Sequence, residues 1–474
     1  MFIQDDLQKN VFIILKIKIL SLIKNLAYKI GVDKAVAYTS IARIIQAGGS
    51  IISILFVVRY LTGVEQGFYY TFGSILAIQV FFELGLNGII TQYVAHEASH
   101  LTLRDGMYLE GEEKYKSRLS SLLHFSVKWY SVFAIVLFVA LMVVGFVFFT
   151  KYDKSGGLVS WRFPWTLLCI CTAVNLLIAP VFAYLEGLGK VKEVAKIRLY
   201  QNCFGLFFVW SSLFLGAKLM VSGINSLVWI LSASFFIFAT PFKVILFDIW
   251  HISIIQKVSY KHEIFPYQWK IALSWISGYF IFQLFNPVLF ATDGAVVAGQ
   301  MGMTLAVLNG ISSLSMSWIS TKIPMFSGLI ELKNYNQLDM IFNKTLKQLV
   351  FINALGLIVM LFVFFVIKTF HITLGGMNLG DRFLNYIPMI LMVIPSFLNQ
   401  FVGSWATYLR CHKQEPFLVN SLVSGILCCF STVLMGKFLG VIGITGGYCL
   451  ISACSLPWAY NIYITKKNEW HNEK

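Results

Sequence analysis

Stretches of about twenty apolar residues recur along the whole chain, each long enough as an α-helix to cross roughly 30 Å of hydrocarbon. They lie near 37–60, 68–90, 122–149, 163–187, 198–216, 224–249, 270–291, 297–321, 346–369, 384–408, 417–437 and 441–464. Inside a bilayer every backbone N–H and C=O must be satisfied within the protein, so such stretches can only be helices. Of the 474 residues 58% are hydrophobic and only 12% charged, too much apolar surface for a soluble domain to hide. The expected fold class is an all-α polytopic membrane protein of about 12 transmembrane helices, arranged as two six-helix lobes around a central cavity.

The formal charge of +15 does not point to nucleic acid, because the basic residues are spread between apolar spans rather than gathered in one soluble patch. Their distribution sets orientation. Arg104, Lys114, Lys116, Arg118, Lys190, Lys192, Lys196, Arg198, Lys466 and Lys467 all fall on one side. Lys and Arg accumulate in cytoplasmic loops, so both termini are expected inside a bacterial inner (cell) membrane. Residues 1–36 alternate Ile, Leu and Phe with Lys and read as a basic amphipathic segment on the inner leaflet, with no cleavable signal. An N-lobe is expected over 37–250, a cytoplasmic linker over 251–269, a C-lobe over 270–464 and a tail over 465–474. The eight cysteines form no CxxC pair, so neither disulfides nor zinc are expected from them.

Polar side chains at membrane depth are costly and mark cavities or partners. Thr39, Arg43, Gln46, Ser50 and Ser53 recur at steps of three and four and share one face of span one. Gln79, Glu83 and Asn87 do the same in span two; His124, Lys128 and Ser131 do so in span three. Lys243 and Asp248 lie towards the inner end of span six, Gln283 and Asn286 in span seven, Gln300, Thr304 and Ser312 in span eight, and Ser396, Asn399 and Gln400 in span ten. The charged members are mainly cationic and lie in the first half, whereas the second half is polar but nearly neutral. A watery chamber with a basic N-lobe suits an anionic headgroup such as a diphosphate. Arg43, Gln46, Ser50, Lys128, Lys243, Gln283, Asn286 and Gln300 are the candidate substrate contacts; Glu83, Asp248 and Asp293 are candidates for coupling to a proton or Na⁺. Lys128 and Lys243 are equally able to snorkel to a membrane face, and Glu83 to pair with Arg43.

His96-Glu97-Ala98-Ser99-His100 fits H-E-x-x-H, a zinc-protease signature when it lies on a helix. Asn286-Pro287 and Asp293-Gly294 loosely echo the second motif of intramembrane metalloproteases. The expected topology puts Asp293 and His96 at opposite membrane faces, so interfacial polarity is the better reading and no catalytic or metal residue is assigned. No P-loop or Rossmann glycine pattern occurs, and no cofactor is expected.

Residues 60–70 (YLTGVEQGFYY) and 185–198 (LEGLGKVKEVAKIR), with twelve spans in two lobes, make the chain resemble the Wzx-type polysaccharide and O-antigen flippases of the multidrug/oligosaccharidyl-lipid/polysaccharide (MOP) exporter superfamily. The short hydrophilic loops carry no soluble catalytic domain, so no enzyme is expected, and the chain is expected to be a monomer among membrane lipids. The resemblance implies a V-shaped, two-lobe fold within the lipid and, as substrate, an undecaprenyl-diphosphate-linked oligosaccharide for O-antigen, capsule or other polysaccharide. It also implies a cationic cavity, which Arg43 matches by position, and Lys128 and Lys243 less closely. The competing reading is a cation-coupled multidrug antiporter of the same superfamily, whose cavity should favour acidic and aromatic groups.

Overall fold

A computed structural model of the chain describes residues 34–104, 108–374, 377–412 and 414–472. All but the last three residues of the expected N-terminal amphipathic segment lie outside the described residues. The first half contains α1 (Lys34–Tyr60), α2 (Gly63–Leu76), a 3-10 turn (Ala77–Gln79), α3 (Val80–Glu83) and α4 (Leu86–Ala98). A small hairpin follows, β1 (Leu101–Arg104) pairing antiparallel with β2 (Tyr108–Gly111). Then come α5 (Glu113–Tyr152), α6 (Arg162–Gly187), α7 (Val191–Phe214), α8 (Met220–Ala239) and α9 (Phe242–His251). A π turn (Tyr260–Ile264) leads into the second half: α10 (Phe265–Phe282), α11 (Phe285–Thr292), α12 (Ala295–Ser320), α13 (Ile323–Glu331) and α14 (Tyr335–Thr369). The two-residue strands β3 (Thr373–Leu374) and β4 (Met377–Asn378), α15 (Tyr386–Arg410) and α16 (Leu418–Asn472) complete it.

Ten helical runs among the described residues are long and apolar enough to cross a membrane. One of them, Leu418–His471, kinks at Gly440 (φ 57°, ψ −141°) into two membrane-length halves. Helix α7 adds a further crossing, its hydropathy lowered by Lys192, Lys196 and Arg198 in its first two turns. Counted this way, the described residues make twelve crossings. The lipid-facing stripes follow helical spacing: Val132, Ile135, Val136, Val139, Val143 and Val147 of α5 are exposed, as are Phe351, Leu355, Ile358 and Phe362 of α14.

Three features of the spans differ from expectation. Span six stops at Ala239, not near 249. Thr240 is extended (φ −114°, ψ 167°) because it precedes Pro241, and the chain restarts as the separate helix α9. Span two is broken in mid-course, where Leu84 (φ 49°, ψ 29°) and Gly85 (φ 68°) both adopt the left-handed conformation. Glycine takes that geometry freely, whereas Leu84 is strained in it. The interval between the expected spans two and three, 91–121, shrinks to a short hairpin, since α4 runs on to Ala98 and α5 begins at Glu113.

The two halves are joined most closely at the face carrying the turns Leu61–Thr62 and Asp293–Gly294, here termed the sealed face. Thr62 starts α2 with a reciprocal cap: its hydroxyl accepts from the Glu65 amide (3.2 Å) and the Glu65 carboxylate accepts from the Thr62 amide (2.8 Å). Helix α2 then crosses α12 glycine to glycine. A Cβ on Gly67 would strike the Ala295 carbonyl, and one on Gly299 would lie 2.9 Å from the Gly67 nitrogen. Below the crossing, Phe68, Phe72, Phe149 and Trp165 pack with Phe290 of the second half. The Phe68–Phe290 rings are 4.9 Å apart and Phe149–Phe290 5.5 Å. The opposite face carries the hairpin, the 188–198 segment and the 252–264 connection, and is termed the basic face.

Candidate functional site

A cavity of about 650 Å³ opens within the N-terminal bundle. Helix α1 contributes Thr39, Arg43 and Gln46; the broken second span contributes Gln79, Asn87 and Thr91; α6 contributes Asn175 and Glu186; α7 contributes Arg198, Gln201 and Asn202; α8 contributes Trp229. Arg43 lies seventeen residues before Tyr60, about 25 Å from the sealed face at 1.5 Å per residue. The cavity therefore occupies the half of the bundle nearer the basic face, deeper towards that face than the central chamber expected from sequence.

Arg43 and Gln46 are exposed within it. Arg43 has no ion-pair or hydrogen-bond partner among the described residues, so all five of its N–H donors are open to a ligand. Glu83 is not its partner: the Glu83 carboxylate accepts from the Gln79 amide. Next to it, Asn87 Oδ1 accepts from the Tyr130 hydroxyl (2.7 Å). Glu186 is bound by Arg198 at 3.0 Å, which leaves Arg43 as the uncompensated charge of the lining.

The other expected site residues lie elsewhere, and the expectation of one chamber lined by all of them is corrected. Ser50 faces the second half, its hydroxyl 3.4 Å from where a Cβ on Gly310 would stand. Asn286 is buried at the interface of the halves and donates to Ser74 Oγ (2.9 Å). Gln300 belongs to the sealed face, donating to the Asp381 carbonyl (2.9 Å). Gln283 caps α10 where span seven breaks. Lys128 is exposed on α5 beside the lipid-facing Val127 and Val132. Lys243 and Asp248 leave the membrane bundle with α9 and line a separate groove of about 440 Å³ with Tyr108 and Phe247. Asp293 is exposed in the sealed-face turn, where it accepts from Thr292 (2.6 Å). Among the three coupling candidates, only Glu83 adjoins the cavity.

Two polar clusters lie at the opposite faces. At the sealed face Gln66 donates to the carbonyls of Gly299 (2.8 Å) and Arg382 (3.1 Å), and the buried Arg382 guanidinium donates to the Leu61 carbonyl (2.7 Å). Lys218 pairs with Glu65 at 2.8 Å. At the basic face Arg118 holds Glu97 (2.8 Å) and Glu263 (2.6 Å), while the Tyr93 hydroxyl donates to the Glu263 carbonyl (2.5 Å). Burial pushes the Glu263 carboxyl up, but the Ser259 amide and Arg118 outweigh it and hold it below the ordinary carboxylate range. The H-E-x-x-H stretch is absorbed here. Glu97, the residue that would act as base, is buried against Arg118, and His100 stacks on Tyr115 at 4.1 Å.

Sequence reasoning placed Arg198 at a loop edge and did not group it with Arg43; the missed signal is that α7 begins at Val191, which carries Arg198 two turns into a helix.

Several solved structures share this architecture. The lipid II flippase MurJ in an inward closed conformation has a TM-score of 0.58 at 13% identity, covering 91% of this chain and 90% of that one. The fold is that of the MOP-superfamily transporters. The MATE multidrug transporter DinF-BH gives 0.60 at 12% identity over 93% and 96%. An inward-facing multidrug resistance MATE family transporter of the MOP superfamily gives 0.54 at 13% over 90% and 99%. No protein-family model and no curated protein sequence matches the chain.

Proposed function

We propose that the protein is a flippase for an undecaprenyl-diphosphate-linked oligosaccharide, moving it from the inner to the outer leaflet of a bacterial inner membrane for O-antigen, capsule or related polysaccharide. The observation that carries this reading is the unpaired, exposed Arg43 guanidinium in a polar cavity of about 650 Å³. A planar fork of donors matches phosphate oxygens two at a time. Positive-inside bias assigns the basic face to the cytoplasm. The cavity is then near inner-leaflet headgroup level, and a diphosphate reaches Arg43 without crossing hydrocarbon. The sugars enter the cleft while the polyprenyl chain stays in lipid. Rocking of the halves opens the sealed face in exchange for the basic one. Coupling of this cycle to a proton or Na⁺ would fall to Glu83, a reading supported by its position at the break in span two, hydrogen-bonded to Gln79 beside the cavity. Replacing Arg43 with Ala is expected to abolish surface glycan while the protein remains in the membrane; normal glycan in that variant would refute the assignment.

A cation-coupled multidrug antiporter is the second reading, favoured by Trp229 and Glu186 in the lining. Against it, Glu186 is already neutralised by Arg198. A deletion strain with unchanged drug resistance and lost glycan supports the flippase; the converse supports the antiporter.

A further inference from the structure

The second half holds a recess of its own, of about 190 Å³, lined by Phe282, Phe285, Asn309, Ser312, Ser396, Asn399, Gln400 and Tyr448 among others. None of these groups is charged. Ser312 and Ser396 hydroxyls are 3.3 Å apart, and Asn399 donates to the Tyr448 hydroxyl (2.8 Å). Gln400 is only 4% exposed, yet its Oε1 is buried with no hydrogen-bond partner. An acceptor left so is costly unless a ligand donates to it. Phe285 and Tyr448 form an aromatic wall, rings 5.0 Å apart. Helix α12 is packed by α1 and α2 on one side and by α14 and α15 on another, and Asn309 is an exposed member of the recess lining. Asn309 lies fifteen residues beyond Gly294, about 22 Å from the sealed face and close to the depth of Arg43.

We propose that this recess is a binding site for one uncharged sugar ring, so that the two halves divide the substrate: Arg43 takes the phosphates and the second half takes the sugar next to them. This rests on the flippase reading. Amides and hydroxyls offer paired donors and acceptors to sugar hydroxyls, and an aromatic wall covers the apolar C–H face of a ring. With no cation among the lining residues the recess offers a diphosphate no counter-charge, and with no carboxylate it offers an organic cation only its aromatic wall.

The test is binding to the full chain in lipid nanodiscs, read by native mass spectrometry. Three probes are compared: undecaprenyl diphosphate alone, and the same lipid bearing one N-acetylglucosamine or one galactose. At least one sugar is expected to raise wild-type affinity by about tenfold, the yield of a few well-formed hydrogen bonds. Gln400→Leu and Asn309→Ala should each bring that gain towards one. Should Gln400→Leu fail to fold, the exposed Asn309→Ala decides. No gain from either sugar, or a gain unchanged in the variants, overturns the proposal. A Na⁺-dependence lost in the same variants with the sugar gain intact would assign the recess to a cation and also overturn it. If the sugar-free lipid binds no better to wild type than to Arg43→Ala, it is the flippase reading that fails.

Discussion

At the scale of single residues, the arginines divide into those already paired within the protein and one that is open. Arg118, Arg198, Arg382 and Arg410 all engage protein acceptors, whereas Arg43 does not. Removing Arg118 leaves Glu97, 3% exposed, without its counter-charge, and a stranded buried charge costs on the order of 3 kcal/mol. Arg118→Ala should therefore lower the unfolding temperature in detergent by several degrees; an unchanged value would show that Glu97 is compensated otherwise. Its partner Glu263 has a depressed folded-state pKa, so the stabilisation is fully present above the unfolded value of 4.5 and is lost as pH falls through the lower, folded one. The unfolding-temperature gap between wild type and Glu263→Gln should stay constant from neutral pH to about 4.5 and close below it. Replacing His96 and His100 together with Ala should leave surface glycan at wild-type levels, since His96 is exposed and His100 merely stacks on Tyr115. Loss of both glycan and bound zinc in that variant would revive the protease reading.

Among the elements, the crossing of α2 over α12 is the tightest joint between the halves. Gly67→Val forces a side chain into the Ala295 carbonyl, a backbone atom that no rotamer change can move aside. The strain should cost about 1–3 kcal/mol and spring the sealed face, read as faster labelling of a cysteine introduced at Asn286. Labelling as slow as in the Gly67 parent would mean the crossing is not the seal. Span positions were legible in the sequence because a bilayer imposes one length and one polarity on every crossing. Pro241 is visible in the sequence too, but the apolar run continues past it to 249, which is why Lys243 and Asp248 fall within the expected span six and are grouped with the cavity. The break at Leu84 left no sequence mark beyond a single glycine, because left-handed geometry at leucine is imposed by packing. Helical facing correctly put Arg43 and Gln46 on one surface. It was silent on which helices stand across from them, so Ser50, Asn286 and Gln300 were assigned to a chamber rather than to the contact between halves.

For the whole molecule, the sealed face must part if the cleft is to open on the other side. Ser74 and Asn286, linked at 2.9 Å, belong to opposite halves. Cysteines at both positions, once oxidised, should halt transport, and reduction should restore it; full transport with the bridge closed would exclude rocking at this face. The connection at 252–264 is fastened to the first half, with Ser117 Oγ accepting from the amides of Ile255 (2.7 Å) and Gln256 (2.8 Å) and Glu263 bound by Arg118. Under the proposed rocking, the hinge between the halves then falls at the start of α10. On the proposed reading the chemistry asked of the molecule is modest: hold a diphosphate against one arginine, then let the halves exchange which face is open. The decisive measurement is translocation of undecaprenyl-diphosphate-linked oligosaccharide in proteoliposomes, scored by protection of the glycan from an added glycosidase. Wild-type protein should move it and Arg43→Ala should not, with equal amounts of each reconstituted; equal translocation by both would contradict the account.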